Sequence, residues 1–210
     1  DALEAAGARV LRLNLCVGDW VYWLGRPAVN YRGRFEDWSA YLDAFVLREG
    51  VTDILYYGDC RPYHTVAADV AQARGIRAHT YEFGYLRPDW ITLERTGMST
   101  RSQFPTDPDQ IRAIGAQFGP VDLEARFCHT MGIELFHEIF YNLSSYFLWP
   151  LFPLYKADRY YDPLVEYISG IPRQLQLRRR SRQAVATMGK LWRQKTPYFV
   201  FPLQLQNEYQ

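Results

Sequence analysis

The predicted fold is decided by the stretch Thr52–Tyr81, TDILYYGDCRPYHTVAADVAQARGIRAHTY. A short apolar run ends at Tyr57, a glycine-containing turn follows it, and Pro62 suits the first turn of a helix. The helical pattern runs to Gly75, and a second apolar run begins at Ile76. Strand, helix and strand joined by short connections predict a parallel βαβ unit.

The segments on either side of this unit extend the α/β pattern. Residues 8–15 read as an earlier strand, and residues 36–48 place apolar side chains at helical spacing. Residues 123–148 read as aromatic-rich helices, and two further helical stretches follow at 155–169 and 174–193. We therefore predict an α/β protein with a Rossmann-like parallel sheet flanked by helices, followed by an aromatic-rich helical segment.

The change in character along the chain predicts three regions. We expect a Rossmann-like domain at 1–120 and a helical extension of the same domain at 121–196. Residues 197–204, PYFVFPLQ, read as a new strand, so we expect 197–210 to begin a second domain.

Composition and charge exclude several classes of protein. Lys and Arg number 24 and Asp and Glu 23, and this balance argues against a general nucleic-acid binder. The three cysteines cannot close a disulfide framework, so a reducing cytoplasm is the simpler location.

No GxGxxG fingerprint is present, and the Cys60–His64 and Cys128–His129 pairs complete no four-ligand set. We expect neither a cofactor nor a metal.

Polar turns at the strand ends predict a small-molecule site. Three of the predicted strands end in turns that contain a glycine, at residues 18–19, 58–61 and 82–85. In open sheets, ligands bind beyond the carboxyl ends of the strands. Carboxylates such as Asp59 and Glu82 suit attack on a sugar or activation of an acceptor, while Arg61 and Arg87 suit the holding of charged oxygens.

The same residues also have purely structural interpretations, which the sequence leaves open. Asp59 could cap a helix, and Asp19 could belong to an ordinary loop. Arg61 and Arg87 could each pair with a carboxylate for structure alone. His64 could be a satisfied structural histidine, and Glu94 could sit on a solvated edge.

The turns, taken in order, resemble the capsular polysaccharide synthesis and export proteins of Gram-negative bacteria, a family of β-Kdo transferases. The matching stretches are GDW at 18–20, YYGDCRPYH at 56–64, YEFGYLRPDWITLE at 81–94 with Ser102 and Pro105, and PLQ at 202–204. The resemblance spans nearly all of the chain, and a lone Gly-Asp pair would carry no weight without the others.

The resemblance implies the N-terminal half of a GT-B glycosyltransferase that retains anomeric configuration. It implies transfer of β-Kdo from CMP-Kdo to a phosphatidylglycerol-type lipid at the inner face of the cytoplasmic membrane. The implied catalytic carboxylates are Asp59, Glu82 and Glu94, in no particular rank. The implied substrate-binding residues are Asp19, Arg61, His64, Tyr85, Arg87 and Ser102.

Departures from the family pattern leave a second function open. Phe83 stands where the family usually has a second acidic residue, and neither the opening strand nor a C-terminal nucleotide-binding half is recognisable. We expect this chain alone to be inactive, with CMP-Kdo bound mainly by the other half. The alternative function is a non-catalytic adaptor in capsule assembly or export.

The aromatic segment could be core or a membrane contact, and the basic run at 178–182 could be a solvated helix face or meet anionic lipid.

Overall fold

The computed structural model describes residues 2–84, 89–98, 101–124, 126, 130–157 and 162–194, together with residues 197, 199 and 201. The chain divides into two compact units, one ending at residue 157 and the other covering residues 158–209. Neither unit tests the three predicted regions at 1–120, 121–196 and 197–210, which stay predictions.

The first unit contains two small β-sheets. Their strands are β1 (Leu13–Asn14), β2 (Val29–Asn30), β3 (Asp53–Tyr57), β4 (Arg77–Phe83) and β5 (Ile91–Arg95). Strands β1 and β2 pair in parallel, and β3 pairs in parallel with β4, which confirms the predicted α/β class and the βαβ unit. Strand β5 instead pairs antiparallel with β4. The connection between them is too short for a crossover helix, so the chain turns back beside β4.

Helices flank the strands and follow them. They are α1 (Ala2–Ala5), α2 (Val17–Val21), α3 (Trp38–Glu49), α4 (Pro62–Arg74), α5 (Pro108–Gly115), α6 (Met131–Phe147) and α7 (Pro163–Gln194), with short 3-10 turns at Phe35–Asp37 and Trp149–Leu151. Gly50 and Gly75 end α3 and α4 in the left-handed conformation, as glycine allows without a steric penalty. The helix end at Gly75 was predicted from the sequence.

The core of the first unit lies where α3 and α4 pack against one face of the three-stranded sheet. Strand residues alternate between the two faces, so Tyr56 and Ala78 point into this core. Trp38 is 3% exposed and its ring nitrogen donates a 3.0 Å hydrogen bond to the carbonyl oxygen of Tyr63. Burial of each large apolar side chain stabilises the fold by about 1.5–3 kcal/mol. This packing fixes the two strand ends that carry the Gly58 turn and Glu82, which lies within β4 and not in the turn predicted at 82–85.

The opposite face of the same sheet carries exposed apolar side chains beside the charged cluster of Asp53, Arg77 and His79. Leu55 at 53%, Phe83 at 63% and Leu93 at 57% lie on it. Glu82 and Phe83 are consecutive residues of β4, so their side chains lie on opposite faces. Phe83 therefore cannot take over the position of Glu82 on the core side.

Helix α6 packs against α2 through a glycine. A Cβ atom at Gly18 would overlap the ring of Tyr141, so only glycine fits at this contact. The Tyr141 hydroxyl also lies 3.7 Å from the Cys16 thiol. Other aromatic side chains of α6, such as Phe136 and Phe147, are exposed. The core interpretation of the aromatic segment is therefore wrong for these two residues.

The second unit contains α7, a single helix where the sequence predicts two. Pro172 lies inside it without ending it. Arg179, Arg180 and Arg182 are exposed along this helix. Within the described part of the chain, no helix combines the length and the apolar character needed to cross a membrane. The predicted strand at 197–204, including PLQ at 202–204, falls largely outside the described residues.

Candidate functional site

The turn after β3 brings the carboxylate of Glu82 over Gly58. Gly58 has φ of 64°, in the left-handed region that favours glycine, and its N–H donates to the Tyr81 carbonyl oxygen at 3.0 Å. A Cβ atom at Gly58 would lie 3.3 Å from Oε1 of Glu82. The glycine therefore leaves room for the half-buried carboxylate at the end of the parallel strand pair.

Asp59 ties two loops together. It is 6% exposed, its Oδ2 accepts the Met98 N–H at 2.8 Å, and its Oδ1 accepts the Cys60 thiol at 3.3 Å. Gly97 has φ of 157°, and a Cβ atom there would lie 2.9 Å from Asp59 Oδ2. Both carboxylate oxygens are thus engaged, and Asp59 holds the loop after β5 against the turn after β3.

The thiol of Cys60 is influenced by the charges of Asp59, Glu82 and Arg101. Its partial burial, its hydrogen bond to Asp59 and the charges of Asp59 and Glu82 raise the pKa of Cys60, while the charge of Arg101 opposes them. All three charged side chains therefore lie within electrostatic reach of one exposed sulfur atom. Arg101 was not anticipated from the sequence, although it directly precedes the matched Ser102.

His64 lies in the first turn of α4 and contacts the turn at Gly58. Its Nδ1 donates to the Gly58 carbonyl oxygen at 3.0 Å, and its ring stacks on Tyr56 with centroids 5.3 Å apart. Desolvation by burial, the largest effect, lowers the pKa of His64. The guanidinium carbon of Arg61 lies 5.9 Å from the centroid of the Tyr57 ring, and the Arg61 charge also acts to lower the pKa of His64.

Asp19 fixes the turn after β1. Its Oδ2 accepts the Leu15 N–H at 2.9 Å, and its Oδ1 lies 3.2 Å from Nη2 of Arg12. The charge of Asp19 also acts to raise the pKa of His64, against the stronger effect of burial. The ends of β1 and β3 are therefore neighbours, although their strands belong to separate sheets.

Glu94 and Ser102, both predicted site residues, bind each other. Glu94 Oε2 accepts the Ser102 hydroxyl at 2.5 Å and the Gln103 N–H at 3.3 Å. In the antiparallel register Glu94 lies opposite Thr80, so it shares a face with Glu82, two positions along. Through these hydrogen bonds, Glu94 holds the segment that follows β5 in place.

The structure thus brings together part of the predicted set. Asp59 and Glu82 meet around Cys60, with His64 beneath the turn. Tyr85 and Arg87 lie outside the described residues. The side chain of Glu82 makes no hydrogen bond or ion pair with any residue that the structure describes, in contrast to the other two predicted carboxylates. A half-buried carboxylate of this kind is available for nucleophilic or general-base chemistry.

Comparison with known proteins extends these observations. A family model described as "Capsule polysaccharide biosynthesis protein" matches residues 52–210. The chain is 31% identical over 164 residues to the "Capsule polysaccharide export protein KpsS" of Escherichia coli, a match that covers 78% of this chain and 42% of that protein. It is 27% identical over 156 residues to the "Capsule polysaccharide modification protein LipB" of Neisseria meningitidis serogroup A, covering 70% and 37%. The chain spans about two fifths of the length of these relatives. No solved structure matches it.

Proposed function

The chain belongs to the capsule polysaccharide biosynthesis protein family, and from this premise we propose that it is the acceptor-side part of a retaining GT-B glycosyltransferase. The proposed reaction transfers β-Kdo from CMP-Kdo to a phosphatidylglycerol-type lipid. One observation carries the proposal. Glu82 presents a carboxylate at the end of the parallel strand pair, where it has no hydrogen bond or ion pair with the described residues, next to the charged groups around Cys60.

Glu82 acts as the nucleophile in this proposal. Its carboxylate forms a bond to the anomeric carbon of Kdo while the bond from that carbon to the phosphate oxygen breaks, and CMP departs with the electron pair. The acceptor hydroxyl then attacks the same carbon, its proton leaves to water, and the Glu82 carboxylate is released. Two inversions leave the configuration unchanged. Asp59 and Glu94 serve as positioning residues, because their oxygens already hold loop N–H and hydroxyl groups.

We further propose that the protein works in the cytoplasm at the inner face of the cytoplasmic membrane, where its lipid acceptor lies. Exposed aromatic side chains on α6, such as Phe136 and Phe147, support contact with the headgroup region. In the other unit, Arg179 and Arg180 suit anionic lipid.

A second candidate function is a non-catalytic adaptor in capsule export or assembly. It is favoured by the name of the Escherichia coli relative, which is called an export protein. It is also favoured by Phe83, which stands at a position where the resembled family usually carries an acid. This function requires no free carboxylate in the site.

Transfer measured with the natural full-length protein separates the two functions. We expect Glu82→Gln to reduce Kdo transfer from CMP-Kdo to the lipid by roughly 10³-fold, because it removes the nucleophile and preserves the shape of the side chain. Glu36→Gln, at an exposed glutamate of the 3-10 turn before α3, is the matched control and should keep the rate. Equal rates in the two variants would contradict the assignment of Glu82. An absence of transfer by the unmodified protein would favour the adaptor.

A further inference from the structure

Arg101 is held beside the Asp59 anchor by its own backbone. Its N–H donates to the Met98 carbonyl oxygen at 2.9 Å, and the N–H of the same Met98 is bound by Asp59. A Cβ atom at Gly97 would lie 2.7 Å from Cβ and 3.1 Å from Cδ of Arg101, so the arginine stem packs directly on this glycine. The tight turn therefore fixes where the arginine side chain begins.

The charge of Arg101 is not balanced by an ion pair within the described part of the chain, and its side chain is exposed. The nearby Asp59 has both oxygens engaged by Met98 and Cys60. A Cβ atom at Gly97 would meet both the Arg101 stem and Asp59 Oδ2. A Cβ atom at Gly58, the residue before Asp59, would meet Glu82 Oε1, so Asp59 is a neighbour of both Arg101 and Glu82. The charge of Arg101 also acts on the Cys60 thiol.

We propose that Arg101 is the anion-binding residue of this site and holds a carboxylate or phosphate group of the substrate next to Glu82. The inference rests on the proposed function, since it names the group that receives the charged part of a sugar or lipid. A guanidinium binds either anion through two parallel N–H donors, which a lysine cannot reproduce. Without such a cation, the carboxylates of Asp59 and Glu82 would repel an anionic substrate.

Alkylation of Cys60 provides a readout that needs no transferase activity. The thiolate is the reacting form, and Arg101 favours it, so iodoacetamide should modify Cys60 in the 210-residue chain at a rate that depends on Arg101. The rate is measured for Cys60 alone by peptide mass spectrometry. We expect Arg101→Gln to slow it roughly threefold. The matched control is Arg95→Gln on β5, an exposed arginine on the opposite face from Glu94, which should leave the rate unchanged.

Added anions test the binding itself. Inorganic phosphate or acetate should slow Cys60 alkylation saturably, by up to roughly threefold, when either anion neutralises Arg101. The effect should vanish in Arg101→Gln and weaken in Arg101→Lys, which keeps the charge but loses the paired donors. Protection by phosphate alone assigns a phosphate group to the site, and protection by acetate alone assigns a carboxylate.

Two outcomes would overturn the inference. One is slowing no greater than that caused by chloride at the same ionic strength, and the other is slowing that persists in Arg101→Gln. Both are independent of sugar transfer, so a failure of the proposed reaction would be seen separately in the Glu82→Gln assay.

Discussion

Asp59 and Glu82 are neighbouring carboxylates whose local contacts suit them to different roles, Asp59 to stability and Glu82 to chemistry. Asp59 is buried and accepts the Met98 N–H across 39 residues of sequence, whereas Glu82 is half-buried above a glycine. A carboxylate that already holds a backbone donor contributes to stability, and one without such a partner is available for chemistry. The sequence shows both residues at strand ends but does not show this difference.

The first prediction concerns the stability of the two carboxylate variants. Asp59→Ala should lower the free energy of unfolding by about 1–3 kcal/mol, because it leaves the buried Met98 N–H without its acceptor. Glu82→Gln should change it by less than about 0.5 kcal/mol. Urea denaturation of the 210-residue chain measures both values. A larger loss for Glu82→Gln than for Asp59→Ala would reverse the assigned roles.

The second prediction concerns the pH dependence of stability at His64. Burial holds the pKa of His64 in the folded chain below the ordinary value of 6.5. The unfolded chain therefore binds the proton more tightly, and the free energy of unfolding rises with pH up to about 6.5 and then levels off at this group. Denaturation of the wild type and of His64→Gln should show a shallower rise in the variant between pH 5 and 7. The same slope in both proteins would count against a buried neutral His64.

At the scale of elements, the predictable part of the fold is the part that is local in sequence. The β3–α4–β4 unit could be predicted because Pro62 and Gly75 mark the two ends of α4 between apolar runs. Strand β5 was not predicted, because ITLER is only five residues long and its apolar residues Ile91 and Leu93 lie on the exposed face, while Thr92 and Glu94 face the core side. The prediction of two helices in place of α7 was also wrong. A proline normally breaks a helix, but Pro172 lies inside α7 without ending it.

The site is less predictable than the fold for the same reason. The pairing of Asp59 with Met98 and the packing of Arg101 on Gly97 join loops that follow different strands. No local pattern encodes such contacts, because they depend on β5 returning antiparallel beside β4. The Gly-Asp turn itself was visible from the sequence.

The third prediction tests the contact between α2 and α6. Gly18→Ala should destabilise the chain by about 1–3 kcal/mol, because the added methyl group overlaps the Tyr141 ring. Tyr141→Leu in the same chain should recover part of that loss by removing the ring. A double-mutant cycle in urea measures the coupling, expected at about 0.5–3 kcal/mol. Fully additive effects would show that the two side chains do not meet.

At the scale of the whole molecule, the family match contains the residues on which the proposed chemistry rests. The family match begins at residue 52 and includes Asp59, Glu82 and Glu94, whereas Asp19 precedes it. The relatives are more than twice as long as the matched stretch, so the donor nucleotide and the complete reaction belong to the proposal. What the described residues supply is one end of a parallel strand pair, with the Glu82 carboxylate over Gly58 and the Arg101 stem packed on Gly97 beside Asp59.

The most direct measurement is to trap the sugar on the enzyme. The natural full-length protein is incubated with CMP-Kdo in the absence of lipid acceptor, quenched, digested and mapped by mass spectrometry. The account predicts a Kdo ester on Glu82, lost in Glu82→Gln and consumed when the acceptor is added. A Kdo ester on Asp59 or Glu94, or acceptor turnover with no ester on Glu82 at any time, would contradict it.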